Sequence, residues 1–260
     1  MPIVGGGLLP NSQLLLPGLS AEVRKAVSKT TAAISRLAHE LYAREPDVMI
    51  MLAVDEAASA KQPRYSLLQA PELPYSFASL GDLTTFGTAH LAYGLTHLLK
   101  ERWETSFPLP LVTPSQLPAA FSLPLVSLGL PLSNLPLVAL RLPLDATHDE
   151  LHHLSELLGS ELERLPQRSL IMGVGTLGHG SSKADSNATM YDRQFKRALE
   201  ATPDQLVNLD SALRQQVKDT LWPAATLAWL CYGNHSVRLE RTSYEAPTGL
   251  GYLVGQFVEL

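Results

Sequence analysis

Seven consecutive residues, Val48–Val54 (VMIMLAV), carry no polar side chain. A strand of that composition has no face to give to water, so it belongs inside a sheet covered on both sides. What precedes it fits such a sheet. Ile3–Leu9 is a short apolar run closed by Pro10-Asn11-Ser12, the pattern of a strand ending in a loop. From Ser20 to Arg44, apolar residues at Val23, Val27, Ile34, Leu37 and Leu41 recur at helical spacing, with Ser20 as N-cap. Strand, helix and buried strand make a βαβ unit. The fold class expected is therefore α/β, a largely parallel central sheet flanked by helices, in a single domain spanning residues 1–260.

The remainder extends this pattern. Thr88–Trp103 reads as a helix. Phe107–Leu144 holds eight of the chain's 19 prolines, and Arg141 is its only charge. Proline at that density argues against a long helix. Short strands at Leu109–Val112 and Leu137–Leu142, joined by packed loops, are expected; the many Leu and Val residues argue against a disordered linker. Thr147 and Glu150 form a capping box that opens a helix to about Leu165. Ser169–Val174 is a further strand, followed by a glycine-rich turn over Gly173–Gly180. Helices are expected at about Asp192–Glu200, Pro203–Leu209, Ser211–Thr220 and Ala224–Tyr232. Val237–Tyr244 and Gly251–Val258 read as antiparallel C-terminal strands around a turn.

Charge and cysteine usage narrow the function classes. The chain has 25 acidic and 20 basic residues, a formal net charge of −5. Nucleic-acid and anionic-membrane surfaces need clustered Lys and Arg, and no run of like charge occurs. Cys231 is the sole cysteine, so neither an internal disulfide nor a Cys-based zinc site can form. The N-terminus lacks the pattern of a signal peptide and no stretch is apolar enough to span a bilayer, so a cytoplasmic protein is expected.

Single motifs carry little. Gly173-Val-Gly-Thr-Leu-Gly178 matches GxGxxG after a strand, but His179-Gly-Ser-Ser-Lys follows where a dinucleotide site needs a helix. A strand-end loop is the better reading. His148 and His152 stand one helical turn apart with Asp149 and Glu150 between them; the polar first turn of a helix explains them better than zinc. Cys231, in an apolar helical stretch, reads as core.

Several segments taken in order resemble the LigB-like, class III extradiol ring-cleavage dioxygenase family, in the branch associated with Memo-like and radical-SAM proteins. Pro2-Ile3-Val4 through Pro10-Asn11-Ser12-Gln13-Leu14-Leu15-Leu16-Pro17 is similar to the family's first strand and the loop after it. Pro46-Asp47-Val48-Met49-Ile50 through Asp55 is similar to its second strand. Leu170–Ser182, the helix around Tyr191–Leu199 and Ser243–Val254 follow in family order. The resemblance implies an α/β domain binding non-haem Fe(II) through two histidines and a carboxylate, with a further histidine as acid/base.

Carried over position by position, that site is depleted. Asn11 stands at the first ligand histidine, beside Ser12, and Asp55 stands at the second, beside Glu56. Pro118-Ala119-Ala120 stands where a further histidine is expected, and Lys218 and Asp219 lie near the later acidic ligand. Only His179 coincides with a family histidine, either as a relict acid/base or as a loop residue. An amide oxygen and an alanine do not replace imidazoles, so no iron or other cofactor is expected. Asp55, with Glu56 and His179, retains some capacity for a harder cation, whereas Asx residues also cap loops at strand ends.

Three functions follow as expectations. The first is a catalytically degenerate family relative acting as a binding or assembly protein. The second is an enzyme with a rebuilt hydrolytic or metal-assisted site around Asn11, Asp55, Glu56 and His179. The third is a protein–protein adaptor using the proline-rich segment 107–144. Family context implies Memo-like or radical-SAM system proteins as partners, and no nucleic acid or membrane.

Overall fold

The computed structural model describes residues 3–56, 62–78, 84–178, 186–201, 203–209, 211–233 and 237–259. The chain begins with β1 (Ile3–Leu9), then two helices, α1 (Ala21–Ala26) and α2 (Ser28–Tyr42), and β2 (Val48–Val54). The helix expected from Ser20 to Arg44 is thus split at the buried Val27. Ser20 caps α1, its hydroxyl accepting from Val23 N at 3.4 Å. The start of α2 is capped from a distance: Glu245 accepts both the amide and the hydroxyl of Thr30, each at 2.7 Å.

β3 (Ser66–Leu68) leads into a two-stranded ribbon of β4 (Glu72–Ala78) and β5 (Thr84–His90), followed by α3 (Tyr93–Trp103). The expected helix from Thr88 is corrected here. Thr88, Ala89 and His90 continue β5, pairing with Pro74, Leu73 and Glu72, and the helix starts only at Tyr93. Next come β6 (Leu111–Val112), α4 (Ala119–Leu128) and β7 (Leu137–Leu142). α4 was not expected in so proline-rich a stretch. Pro118 precedes its first turn, where a missing N–H costs nothing, and its carbonyl accepts from Ser122 N. Pro124 lies inside the helix but is buried with Phe121 and Leu125, so packing outweighs the lost hydrogen bond.

The chain continues through α5 (His148–Arg164), with the expected capping box formed in both directions, and β8 (Ser169–Val174). α6 (Ser186–Ala201), a 3-10 turn, α7 (Ser211–Gln216) and α8 (Leu221–Leu230) follow. β9 (Val237–Glu245) and β10 (Tyr252–Glu259) complete the chain.

The large sheet has the order β6-β3-β7-β2-β8-β1-β10-β9. Its centre, β7-β2-β8-β1, is parallel, and β10 and β9 add an antiparallel pair at one edge. All seven residues of β2 are buried, and alternation divides them between two cores. Ile50 and Leu52 join a layer with Leu154 and Leu158 of α5 and Leu227 of α8. Met49 and Met51 join the opposite layer with Leu37 of α2 and Phe121 of α4. This is the α/β sheet covered on both faces that the apolar run of β2 demands.

Candidate functional site

In such sheets the loops at the carboxyl ends of parallel strands form the binding edge. Here those ends divide into two unlike halves.

The half formed by β1 and β8 is closed by hydrogen bonds. The Ser12 hydroxyl shares a 2.8 Å hydrogen bond with Tyr252 Oη and accepts from Leu14 N, with half-buried Asn11 beside it. After β8, Gly175 N donates to Leu9 O, Thr176 N to Thr220 Oγ1, Leu177 N to Gly251 O and Gly178 N to Asp192 Oδ1. A Cβ on Gly175 would lie 2.6 Å from the backbone of Thr220 and Leu221. The glycine spacing that mimics a dinucleotide motif therefore reflects close backbone approach. No described helix starts at Gly178; α6 begins at Ser186. His179 lies outside the described residues, in the segment 179–185.

Asp219 belongs to this closed half. It is fully buried, its Oδ1 accepting from Leu221 N at 2.8 Å and Trp222 N at 3.2 Å at the start of α8, while Tyr191 Oη donates to Oδ2. Burial pushes its carboxyl up to about 7, against the pull of those donors. Asp192, buried and bonded by Tyr244 Oη and Gly178 N, is pushed up to about 6 by the same cause. Arg214 stacks 3.6 Å from the Trp222 ring, and burial lowers its pKa while Tyr191 and Asp219 hold it up.

The half formed by β2 and β7 is open. A cleft of about 360 Å³ there is lined by Asp55, Glu56, Gln62, Arg64, Arg141 and Lys218, among others. Asn11 and Ser12 are not in its described lining. Arg141, near the end of β7, is 3% exposed. Its guanidinium donates to Gln62 Oε1 and to Pro63 O, and its Nε is buried without a partner. Burial lowers its pKa and the Asp55 carboxylate opposes that shift, so the two charges sense one another. Exposed Lys218 adopts a left-handed φ of 50° after α7, and Arg64 bridges Asp145 and Glu150.

Asp55, Glu56 and Lys218 are thus brought together, whereas Asn11, Ser12 and Asp219 serve the closed half. Arg141 escaped the sequence reading, although a lone charge in an otherwise apolar strand was the signal that marks it. The His148–His152 pair lies on the solvent side of α5, its rings 5.9 Å apart. Cys231 is buried, and burial pushes its thiol up. No group of three or more His, Cys, Asp or Glu that could hold a metal ion occurs among the described residues. No helix among them is long and apolar enough to cross a membrane.

No protein-family model matches the chain, and no curated protein matches it. Its architecture is similar to the crystal structure of an uncharacterized protein from Escherichia coli K12, with a TM-score of 0.63 at 15% identity. The match covers 97% of this chain and 98% of that one. At that identity the likeness shows the fold, an α/β domain, and nothing of the chemistry.

Proposed function

We propose that this chain is a non-ferrous relative of the class III extradiol dioxygenases. In this reading its strand-end cleft binds a small organic carboxylate and opens no aromatic ring. The observation that carries the reading is Arg141. A buried guanidinium beside Asp55 places fixed positive charge where a divalent cation would have to sit, and like charges at such range repel. The same guanidinium suits a carboxylate, which accepts from its donors with matched planar geometry. Lys218 on the rim adds to that preference.

The described donors fit ferrous iron poorly. Asp219 already accepts three hydrogen bonds, Ser12 is bonded to Tyr252, and Asn11 offers only a neutral amide. A rebuilt metal-assisted site retains one favourable observation, the presence of both Asp55 and Glu56 in the cleft. The adaptor reading loses support from burial of segment 107–144. That segment supplies α4 and β7 to the core, and Leu130 stands out as its one large, strongly exposed apolar side chain among the described residues.

The test joins elemental analysis of tag-free protein to assays of catechol ring opening and thermal shift with small mono- and dicarboxylates. Expected are iron well below one atom per chain, no ring opening, and a rise in Tm with at least one carboxylate that Arg141→Gln abolishes. A ligand at 100 times its Kd stabilises by about 2.7 kcal/mol, which such a shift detects easily. Stoichiometric iron with ring cleavage would overturn the proposal. Carboxylate binding indifferent to Arg141→Gln would remove the role given to that residue.

A further inference from the structure

A second concavity lies away from the strand-end cleft, between α2 and the edge strand β9. It measures about 530 Å³, and its lining includes Lys29 and Arg36 of α2 and Arg241 and Ser243 of β9. Lys29 and Arg36 are seven residues apart and so share a helix face, about 10 Å apart along the axis. Ala32 and Ala33 form a low floor between them. Arg241 faces them from the sheet side. No acidic side chain is among the described lining residues. The nearby carboxylate on β9, Glu245, is committed to the amide and hydroxyl of Thr30. Lys196 sits 3.6 Å over the ring of Tyr244, a further lining residue whose hydroxyl donates to Asp192. A fourth cation therefore stands at the rim, with Asp192 behind the ring.

A second observation is independent of charge. Ser243 is 9% exposed and lines the same concavity, and its Oγ has no hydrogen-bond partner. A buried hydroxyl left without a partner costs free energy that a bound acceptor would recover. The three cations come from positions 29, 36 and 241, which is why no basic cluster shows in the sequence. Their shared concavity, in a chain of net charge −5, concentrates positive potential that favours an anion.

We infer that this groove binds a soluble organic phosphate. A phosphomonoester carries about −1.5 to −2 at neutral pH and three acceptor oxygens. It neutralises three converging cations far better than a monocarboxylate, and it offers an acceptor to Ser243. The volume fits a phosphorylated small molecule, since ligand pockets span roughly 300–1,000 Å³. The groove shares no described lining residue with the strand-end cleft, so the inference stands apart from the function proposed there.

The test is isothermal titration of the full chain with inorganic pyrophosphate, at constant ionic strength set with chloride. Saturable binding that weakens as salt rises is expected. Arg36→Gln and Arg241→Gln should each weaken it about fivefold or more, as loss of one charge-assisted contact predicts. Arg238→Gln, the same charge change on the same strand but outside the groove, should leave it unaltered. Absence of binding, or equal weakening by all three substitutions, overturns the inference. If a variant does not fold, phenylglyoxal modification of the native protein replaces it. Pyrophosphate should then protect Arg36 and Arg241, and lack of protection is equally fatal. Sedimentation with phosphatidic acid vesicles separates the sources of phosphate. Capture by vesicles without pyrophosphate binding would assign the groove to a lipid surface and refute a soluble ligand.

Discussion

The two halves of the strand-end edge use the same residue types to opposite ends. Around β1 and β8, Ser12, Asp192 and Asp219 are buried, each bonded to named donors, and the loops are tied to one another by backbone contacts. Around β2 and β7, Asp55, Glu56, Lys218 and Arg141 border a cleft, and the Arg141 Nε has no partner. Polar groups with every bond satisfied are architecture, whereas buried charge with donors to spare is retained against stability. Position at the mouth of the sheet is therefore not enough to identify a functional residue. Its state of satisfaction separates the halves.

The largest expected effect tests the closed half through pH. Asp219 and Asp192 have carboxyls pushed up to about 7 and about 6, above the ordinary 3.8. Between about pH 4 and pH 7 the folded chain therefore holds protons that the unfolded chain has released. Stability is greatest at the acid end of this window, falls as pH rises through it, and levels off above pH 7. A tenfold difference in proton affinity corresponds to about 1.4 kcal/mol. Because most of the window lies between pH 5 and pH 8, the drop across that interval should be roughly 4 kcal/mol for the two groups together. Urea unfolding at those two pH values measures it, and Asp219→Asn should remove most of it. A flat profile would mean that water reaches these carboxylates and the half is not closed.

The next effect is Asp219→Ala, measured at pH 6. Three hydrogen bonds vanish, two of them capping α8, and each is worth about 1 kcal/mol, so a loss of about 3 kcal/mol is expected. A loss below about 1 kcal/mol in the urea midpoint analysis would show Asp219 to be dispensable for packing.

Arg141→Leu sharpens the comparison from the open side. Replacing a buried charge by an apolar residue is often neutral or stabilising, so the change in unfolding free energy should stay within about 1 kcal/mol. Carboxylate binding, read by thermal shift, should disappear. Destabilisation beyond about 2 kcal/mol would move Arg141 to the architectural half, because leaving Gln62 and Pro63 O unbonded would then be the dominant cost.

These contrasts also explain what the sequence disclosed. Fold class was legible because β2 has no polar face and its neighbours alternate strand with helix, a pattern that local periodicity records. The helix α4 was hidden because its burial overrode the proline signal, a tertiary effect that local composition cannot contain. In the site, Asp55, Glu56 and Lys218 were singled out by alignment with a family and do share a cleft. Asn11, Ser12 and Asp219 were singled out by the same argument and turned out to be structural, since hydrogen-bond satisfaction depends on Tyr252, Tyr191 and the start of α8, which local pattern does not reveal. The groove of Lys29, Arg36 and Arg241 was invisible for the same reason. Charges that meet across about 200 residues leave no local cluster.

The smallest expected effect is the most direct test of whether the open half is kept for binding. Lys218 follows α7 with φ of 50°, a conformation that glycine adopts freely and that costs a residue with a Cβ about 1 kcal/mol. Were Lys218 there only to end the helix, glycine would serve better. Lys218→Gly should therefore raise the unfolding free energy by about 0.5 kcal/mol, the relief of strain being partly offset by the greater freedom of glycine in the unfolded chain. The same substitution should weaken carboxylate binding severalfold, since it removes a rim charge. Gain of stability joined to loss of binding marks a residue retained for its side chain. If stability and binding both fall, Lys218 supports the turn by contacts of its own, and the division between the halves would have to be drawn on the other side of it.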